Sequence, residues 1–284
     1  MTQILNARIL ASVAMLLFVG AIVASSTGAF FSDTETSTGN TFTAGDIDLQ
    51  IDNTSYVTST STGLLVASPA NTWAISNLTN QLFFSFTDVK PGDIGEDTIS
   101  IHVGSNNGWA CMAADITQTP ENTLVDPEVD ALDIGPANGN NGELQDFLNF
   151  TFWKDDGDNV FEAGESVITS LTGTASSTFQ GQWHAIADAS TTAPLAGGST
   201  SYVGKAWCFG ALTANGTTQD GLGTTSTPLL RGTTGFTCDG SGANNVAQTD
   251  GIVVDVSFQA VQSRNNGAFL CSSLTPFVGP SSQQ

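Results

Sequence analysis

The chain has 284 residues, a formal net charge of −21 and only six lysines and arginines. This balance excludes ordinary nucleic-acid binding, which needs clustered basic residues to neutralise phosphates. For the same electrostatic reason it disfavours binding to anionic membrane surfaces. Apolar residues reach 40% and recur in strand-length runs, so the composition favours a folded, extracellular β protein over a disordered chain.

Residues 1–29 have the pattern of a signal peptide. Arg8 precedes a run of 16 apolar or small residues, Ile9 to Ala24, and further small residues follow. We predict cleavage between Ala29 and Phe30 and secretion to the extracellular matrix or cell surface. The alternative is an uncleaved membrane anchor, although the run is shorter than the ~20 residues of a membrane span.

The predicted mature chain begins with an extended, threonine-rich segment, residues 30–40, that has no helix or turn signal before Gly39. Two aromatic residues head it, and its first seven residues are Phe30, Phe31, Ser32, Asp33, Thr34, Glu35 and Thr36. Nothing in the segment provides a local folding partner.

Strict alternation of apolar and polar residues marks four strong strands, at 47–52, 82–87, 98–103 and 252–260. Weaker strand signals cover 109–117, 148–153, 166–171, 181–187 and 201–209, and one short helix is predicted at 141–148. The remaining stretches, 53–71, 120–142, 190–200 and 213–245, are predicted loops, and Pro91-Gly92 marks a turn. The pattern predicts an all-β fold: a single jelly-roll β-sandwich over residues 41–284, with long decorated loops and few, short helices.

Four cysteines in an exported chain indicate two disulfides. Cys208 and Cys238 flank one Gly/Thr-rich loop, so we expect them to pair, which leaves Cys111 with Cys271. Spacing alone leaves the two other pairings and free buried thiols open. No zinc-type spacing occurs among them.

The stretch FWKDDGDNVFEAGESV resembles the twelve-residue calcium loop. The alignment gives five ligands: Asp156, Asp158, the Val160 carbonyl, Glu162 and Glu165. Asn159 takes the position that needs a left-handed backbone. Lys154 stands where the first Asp is expected, and Asp155 is the neighbour that would replace it. The alternative is an acidic hairpin turn without calcium.

No catalytic pattern is recognisable. The two histidines, His102 and His184, lack a second histidine at ligand spacing, and HExxH, GxSxG and phosphate-loop motifs are absent. We predict that the protein is not an enzyme, while a glycosidase-type carboxylate pair stays open. Five tryptophans would stack on sugars if exposed, but burial in the core is the simpler expectation.

Three segments resemble the TasA/camelysin-type family of secreted proteins, which is related to archaeal bundling-pilus subunits. They are GAFFSDTETSTGN continuing into NTFTAGDIDL, the turn VKPGD and the closing VDVSFQAVQ. The resemblance covers the two ends and the first third of the chain, and residues 110–250 lie between the matched segments.

The resemblance implies a jelly-roll subunit of a biofilm-matrix fibre, a homopolymer without nucleic acid. A dedicated signal peptidase would process it, and a minor anchoring or initiating subunit would fit the family arrangement. Polymerisation would occur by donor-strand exchange, in which residues 30–40 of one subunit complete the sheet of the next. The alternatives are a camelysin-like cell-surface metallopeptidase, a surface adhesin or carbohydrate-binding module, and a segment that folds back onto its own subunit.

Overall fold

The computed structural model describes residues 47–280 except 134 and 192, together with Ala11 and Met15. The predicted cleavage site at Ala29–Phe30 and the predicted donor segment 30–40 lie outside the described residues. By its internal contacts the chain divides into Met1–Ala44 and Gly45–Gln284, and the second unit is described here by itself.

Antiparallel strands dominate the described residues, so the all-β prediction is confirmed. The strands are β1 (Leu49–Thr58), β2 (Leu65–Ala67), β3 (Trp73–Ser76), β4 (Ile94–Val103), β5 (Gly108–Gln118), β6 (Leu148–Asp155), β7 (Ser166–Val167), β8 (Gly173–Thr174), β9 (His184–Ala187), β10 (Thr200–Phe209), β11 (Ala211–Ala214), β12 (Phe236–Asp239) and β13 (Val253–Gln262). Within residues 47–280 the α-helices are short: α1 (Asp126–Asp130), α2 (Leu144–Phe147), α3 (Ala175–Thr178) and α4 (Pro228–Arg231). Short 3₁₀ turns occur at Pro69–Asn71, Thr169–Leu171, Gly223–Thr225, Gly240–Gly242, Asn245–Ala247 and Cys271–Ser273.

Two sheets share one apolar core. The larger has the order β2-β1-β4-β10-β6-β7, with β3 also on β1 and β8 also on β6, and the smaller has the order β13-β5-β9. The larger sheet contributes Ile99, Phe152 and Val203 to the core, and the smaller contributes Met112 and Ile186. These positions follow the period-two alternation that the sequence shows. The jelly-roll connectivity itself stays a prediction.

The outward face of the larger sheet is covered as well. Trp153, Ala206 and Phe236 form a second buried cluster there. Gly204 pairs with Trp153 on the adjacent strand, and a Cβ at this glycine would collide with the indole ring. The hairpin of β11 and β12 supplies part of the cover. Strands β4 and β10 are therefore buried on both faces.

One ion pair lies inside the core. Lys205 and Asp97 are cross-strand partners on β10 and β4, and both are almost completely buried. Lys205 Nζ also donates to the Phe83 carbonyl oxygen at 3.0 Å and lies 4.9 Å from the centre of the Phe84 ring. Burial lowers the pKa of Lys205 and raises that of Asp97, while the attraction within the pair opposes both shifts.

The predicted strand at 82–87 is wrong, because this segment forms no sheet ladder. Its phenylalanines do not alternate between a buried and an exposed face: Phe83 is buried, and both Phe84 and Phe86 also pack against the core. The Phe83 carbonyl accepts its hydrogen bond from Lys205, where a strand would accept one from a neighbouring backbone. Apolar alternation cannot reveal that partner.

Several loop predictions also need correction. Strand β1 continues to Thr58, and β2 lies within the predicted loop 53–71. The polar residue Asn53 is fully buried there, because its side-chain amide donates to the Asn71 carbonyl at 2.7 Å. Strand β12 was missed inside 213–245, and the strand predicted over 166–171 ends at Val167 and gives way to a 3₁₀ turn.

Candidate metal centre and a free sheet edge

The predicted calcium loop connects β6 to β7 and has the backbone shape that the motif requires. Asn159 adopts a left-handed conformation with φ of 64°, as its position in the alignment predicts. Gly157 and Gly164 have φ values of 112° and 103°. These turns fold the acidic side chains of the loop towards one another.

The loop brings the predicted carboxylates together in two overlapping groups. Asp156, Asp158 and Glu162 each offer an oxygen, and these atoms lie within 4.8 Å of one another. Asp155, Asp156 and Glu165 form a second group by the same measure. Lys154 is exposed, so Asp155 is the residue that joins the cluster at the start of the motif.

Three oxygens of the first group are buried and accept no hydrogen bond. They are Asp156 Oδ1, Asp158 Oδ2 and Glu162 Oε2. An unsatisfied buried carboxylate oxygen costs free energy unless a donor or a cation faces it. Carboxylate oxygens are the ligands that Ca²⁺ prefers. The donor set therefore fits a hard divalent cation.

Glu165 and Val160 play roles in the loop that the alignment did not predict. The Glu165 carboxylate accepts the amides of Asp156 at 3.0 Å and Glu162 at 2.8 Å, so it closes the loop. The Val160 amide donates to Asp158 Oδ1 at 2.9 Å. Ligation by the Glu165 carboxylate and by the Val160 carbonyl stays a prediction.

Burial and mutual repulsion raise the pKa values of carboxylates in this loop. Burial raises the pKa of Asp155 to about 6, that of Asp158 to about 7 and that of Glu165 to about 8. Neighbouring carboxylates add to each shift. The negative charge of the loop thus exceeds what its own hydrogen bonds compensate.

Sequence reasoning missed the basic residue that faces the loop. Arg231, at the end of α4, forms ion pairs with Glu162 and with Asp220 Oδ2 at 2.5 Å, and its Nη1 lies 3.9 Å from Asp158 Oδ2. Gln219 donates to Asp156 Oδ2 at 3.1 Å. Arg231 is one of only six basic residues in a strongly acidic chain, and that rarity is the signal that could have identified it. One guanidinium balances only part of the charge of the loop.

Two disulfides join Cys111 to Cys271 and Cys208 to Cys238, the pairs expected from the sequence. The first connects the central strand of the smaller sheet to the C-terminal region. The second fastens β12 to β10 and so holds the cover over the outer face. Two disulfides indicate an oxidising environment outside the cytoplasm.

Most of the tryptophans are buried. Trp109, Trp153 and Trp207 are buried and offer no face to a sugar, whereas Trp73 and Trp183 are partly exposed. Trp183 donates its indole N–H to the Thr275 carbonyl at 2.8 Å. Burial in the core is thus the observed state for three of the five.

The histidines have separate surroundings. His102 Nε2 lies 2.6 Å from Asp52 Oδ2, and its other ring nitrogen lies 3.1 Å from the Thr200 hydroxyl. Burial lowers the pKa of His184. His184 Nε2 is buried and has no hydrogen-bond partner among the described residues.

Strand β13 has a free edge within residues 47–280, because it pairs only with β5 there. The Ser263 amide, just beyond the end of β13, donates to the Asn107 carbonyl at 3.0 Å. This bond shows that Ser263 and Asn107 form a hydrogen-bonded pair. Hydrogen-bonded pairs alternate along an antiparallel ladder. The amides and carbonyls that point away from β5 therefore belong to Val254, Val256, Phe258, Ala260 and Gln262.

The free edge of β13 adjoins half-buried apolar surface. Val254, Val256 and Phe258 pack against the core but keep partial exposure, and the Phe258 ring lies 5.7 Å from that of Phe83. The strand has ten residues and contains neither lysine nor proline, two of the usual protections of an exposed edge, while Asp255 and a register shift between Val253 and Val254 lie at its start. No strand within residues 47–280 occupies this edge.

Neither the known protein-family models nor the curated proteins contain a match to this chain. The resemblance to the TasA/camelysin-type family therefore rests on the three quoted segments alone. Among the described residues, no helix has the length and hydropathy needed to cross a membrane.

Proposed function

We propose that the protein is a secreted structural subunit of an extracellular filament of the biofilm-matrix or pilus type. Each subunit would insert residues 30–40 beside β13 of the next subunit. The observation that supports the proposal is the edge of β13 that no other strand within residues 47–280 pairs with. A head-to-tail contact of this kind is heterologous and generates an open filament.

The donor segment and the acceptor edge match in length and chemistry. Residues 30–40 could pair along the whole of β13, with backbone hydrogen bonds providing affinity. In the donor, Phe30, Ser32, Thr34 and Thr36 share one face, which offers mostly small or β-branched side chains to the half-buried surface beside Phe258. Burial of one phenylalanine would contribute roughly 1.5–3 kcal/mol.

The proposed cofactor is calcium, bound in the loop between β6 and β7. Asp156, Asp158 and Glu162 would supply ligands, with Asp155 at the position that Lys154 leaves vacant in the motif. Because the loop lies between two strands, the ion would brace the subunit. A ligand that binds only the folded state stabilises it by mass action.

A variant of the acceptor edge tests the proposed joint. Ala260→Pro removes an amide that points away from β5, so the ladder with β5 stays intact while pairing with a donor strand is interrupted. Ala214→Pro is the matched control, because this residue is exposed near the end of the β11–β12 hairpin. We expect Ala260→Pro to be a folded monomer and Ala214→Pro to form normal filaments.

Deletion of residues 30–40 behind the intact leader tests the donor. The truncated protein should be folded and monomeric, and a synthetic Phe30–Asn40 peptide should bind it but not bind its Ala260→Pro form. Normal filaments from the truncated protein would refute the proposal. A truncated protein that cannot fold would show that the segment belongs to its own subunit. Binding to glycans or cleavage of casein by monomers would favour the adhesin or the peptidase.

A further inference from the structure

A second group of carboxylates lies outside the loop between β6 and β7, in residues 121–143 and at Asp250. It comprises Glu121, Glu128, Asp133, Glu143 and Asp250, and we name it the 121/250 cluster. Glu121 with Asp133 and Glu143, and Glu121 with Glu128 and Asp250, each place carboxylate oxygens within 4.8 Å of one another. Glu121 therefore stands at the centre of the cluster.

The cluster contains buried oxygens that nothing in the protein satisfies. Glu121 is fully buried, and neither of its oxygens accepts a hydrogen bond from an amide, hydroxyl or basic group. Asp133 Oδ2, Glu143 Oε2 and Asp250 Oδ1 are likewise buried and unpartnered. The groups that face Glu121 are other carboxyls, and burial together with the charges of Asp250 and Asp133 raises its pKa far above its usual range. Burial of several carboxylates together lowers the stability of the fold unless a cation compensates their charge.

No basic side chain compensates the cluster within residues 47–280. The ion pairs of that region involve Lys90, His102, Lys205 and Arg231, and none of them reaches these five carboxylates. This is the main difference from the loop between β6 and β7, where Arg231 balances part of the charge. The 121/250 cluster is thus the less compensated of the two.

Backbone hydrogen bonds hold the cluster in place. The Glu143 amide donates to Asp250 Oδ2 at 2.5 Å, and the Val125 amide donates to Glu128 Oε2 at 2.6 Å. The Gly135 amide donates to Asp133 Oδ1 at 3.0 Å. In each case one oxygen of the carboxylate is fixed by the backbone, and for Asp133 and Asp250 the other oxygen is left for a ligand. The geometry is organised before any ion binds.

Two further features fit a bound ion. A Cβ at Gly142 would come within 2.8 Å of the Asp250 carboxyl carbon and 2.9 Å of the Pro120 carbonyl oxygen, so glycine permits the close approach of the two chain segments. A cavity of about 410 Å³ has Asp133 and Glu143 in its lining. Two members of the cluster therefore border this cavity.

We propose that the 121/250 cluster is a calcium site, independent of the loop between β6 and β7. Glu121, Asp133 and Glu143 form one group with four unpartnered oxygens, and Asp250, in the second group that shares Glu121, supplies a fifth. Ca²⁺ takes six to eight oxygen ligands in flexible geometry, which suits carboxylates that are spread over two adjoining groups. Magnesium demands a near-ideal octahedron and keeps several waters, so it suits this crowded set of carboxylates less well. The ion would fasten residues 120–143 to the segment around Asp250.

Calcium titration calorimetry on the purified full chain, stripped with chelator, tests the site. Glu121→Gln keeps the shape of the central side chain and removes its charge, and Asp126→Asn removes one charge from an exposed position in the same loop. We expect Glu121→Gln to bind one calcium ion fewer than the wild type and Asp126→Asn to bind the same number. Equal calcium binding by Glu121→Gln and the wild type would overturn the proposal.

A second measurement does not depend on the folding of Glu121→Gln. In Asp156→Asn, which disables the loop between β6 and β7, calcium should still slow proteolytic cleavage within residues 120–143. Magnesium at the same concentration should give less protection. Cleavage at the same rate with calcium and with chelator would overturn the proposal, whatever the outcome for filament assembly.

Discussion

Replacement of Lys205 by methionine tests the reasoning about the core most sharply. The change keeps an unbranched apolar stem and removes the charge that pairs with Asp97. It also removes the donor to the Phe83 carbonyl, so the segment at 82–87 loses its buried hydrogen bond to Lys205. Because Asp97 is fully buried, the variant leaves an uncompensated buried carboxyl group, which typically costs about 3–5 kcal/mol. That is a large fraction of the roughly 5–15 kcal/mol of a typical domain.

Urea unfolding followed by tryptophan fluorescence measures this loss. Lys90→Met is the matched control, since the Lys90–Asp88 pair is exposed and such pairs contribute about 0–1 kcal/mol. Adding Asp97→Leu to Lys205→Met should recover much of the loss, because it removes the stranded carboxyl group. A Lys205→Met variant as stable as Lys90→Met would refute the reasoning.

Further outcomes concern export, calcium, crosslinks and pH. N-terminal sequencing of secreted protein should read Phe-Phe-Ser-Asp, and an intact N-terminus would contradict cleavage at Ala29. Calcium at a hundred times the dissociation constant of a site should stabilise the protein by about 2.7 kcal/mol through that site. Asp156→Asn should lose the share due to the loop between β6 and β7, and an equal calcium shift in both proteins would remove that site. Serine at both Cys208 and Cys238, which are 30 residues apart, should cost about 3.6 kcal/mol in denaturant unfolding, and no loss would mean that the bond is absent. The pKa of His184 is lowered in the folded state, so its contribution to stability is complete above pH 6.5 and is lost as the pH falls below that value. His184→Gln should therefore lose less stability than the wild type between pH 7 and 5. Parallel curves of stability against pH for the two proteins would contradict this.

The sequence predicted those parts of the fold that depend on period-two burial. Strands β4 and β13 were predicted because Ile99, Ile101, Val256 and Phe258 alternate with polar residues and pack on the shared core. The failures have a common physical cause. The segment around Phe83 looks like a strand but satisfies its backbone through Lys205, and β1 extends past Asn53 because a buried amide replaces an apolar side chain. A hydrogen-bond partner that is distant in the sequence does not change the local periodicity of apolar residues, so that periodicity cannot predict it.

The candidate sites were also predictable only where their residues are close together in the sequence. The candidate calcium loop was recognisable because its carboxylates are close together in the sequence, and even the left-handed Asn159 was assigned from its position. Arg231 was missed because it lies 69 residues from its partner Glu162. The 121/250 cluster was missed for the same reason, since Glu121 and Asp250, which are distant in the sequence, come together only when β5 and β13 pair and bring Gln118 opposite Val253. Such contacts require the folded chain.

The most direct test of the central claim is a cryo-electron microscopy map of filaments assembled from the secreted protein. The account predicts an additional strand along the free edge of β13, antiparallel or parallel, that is continuous with the N-terminus of the neighbouring subunit and carries the sequence of residues 30–40. A strand that is continuous with the same subunit, or a β13 edge that stays unpaired within the filament, would contradict it.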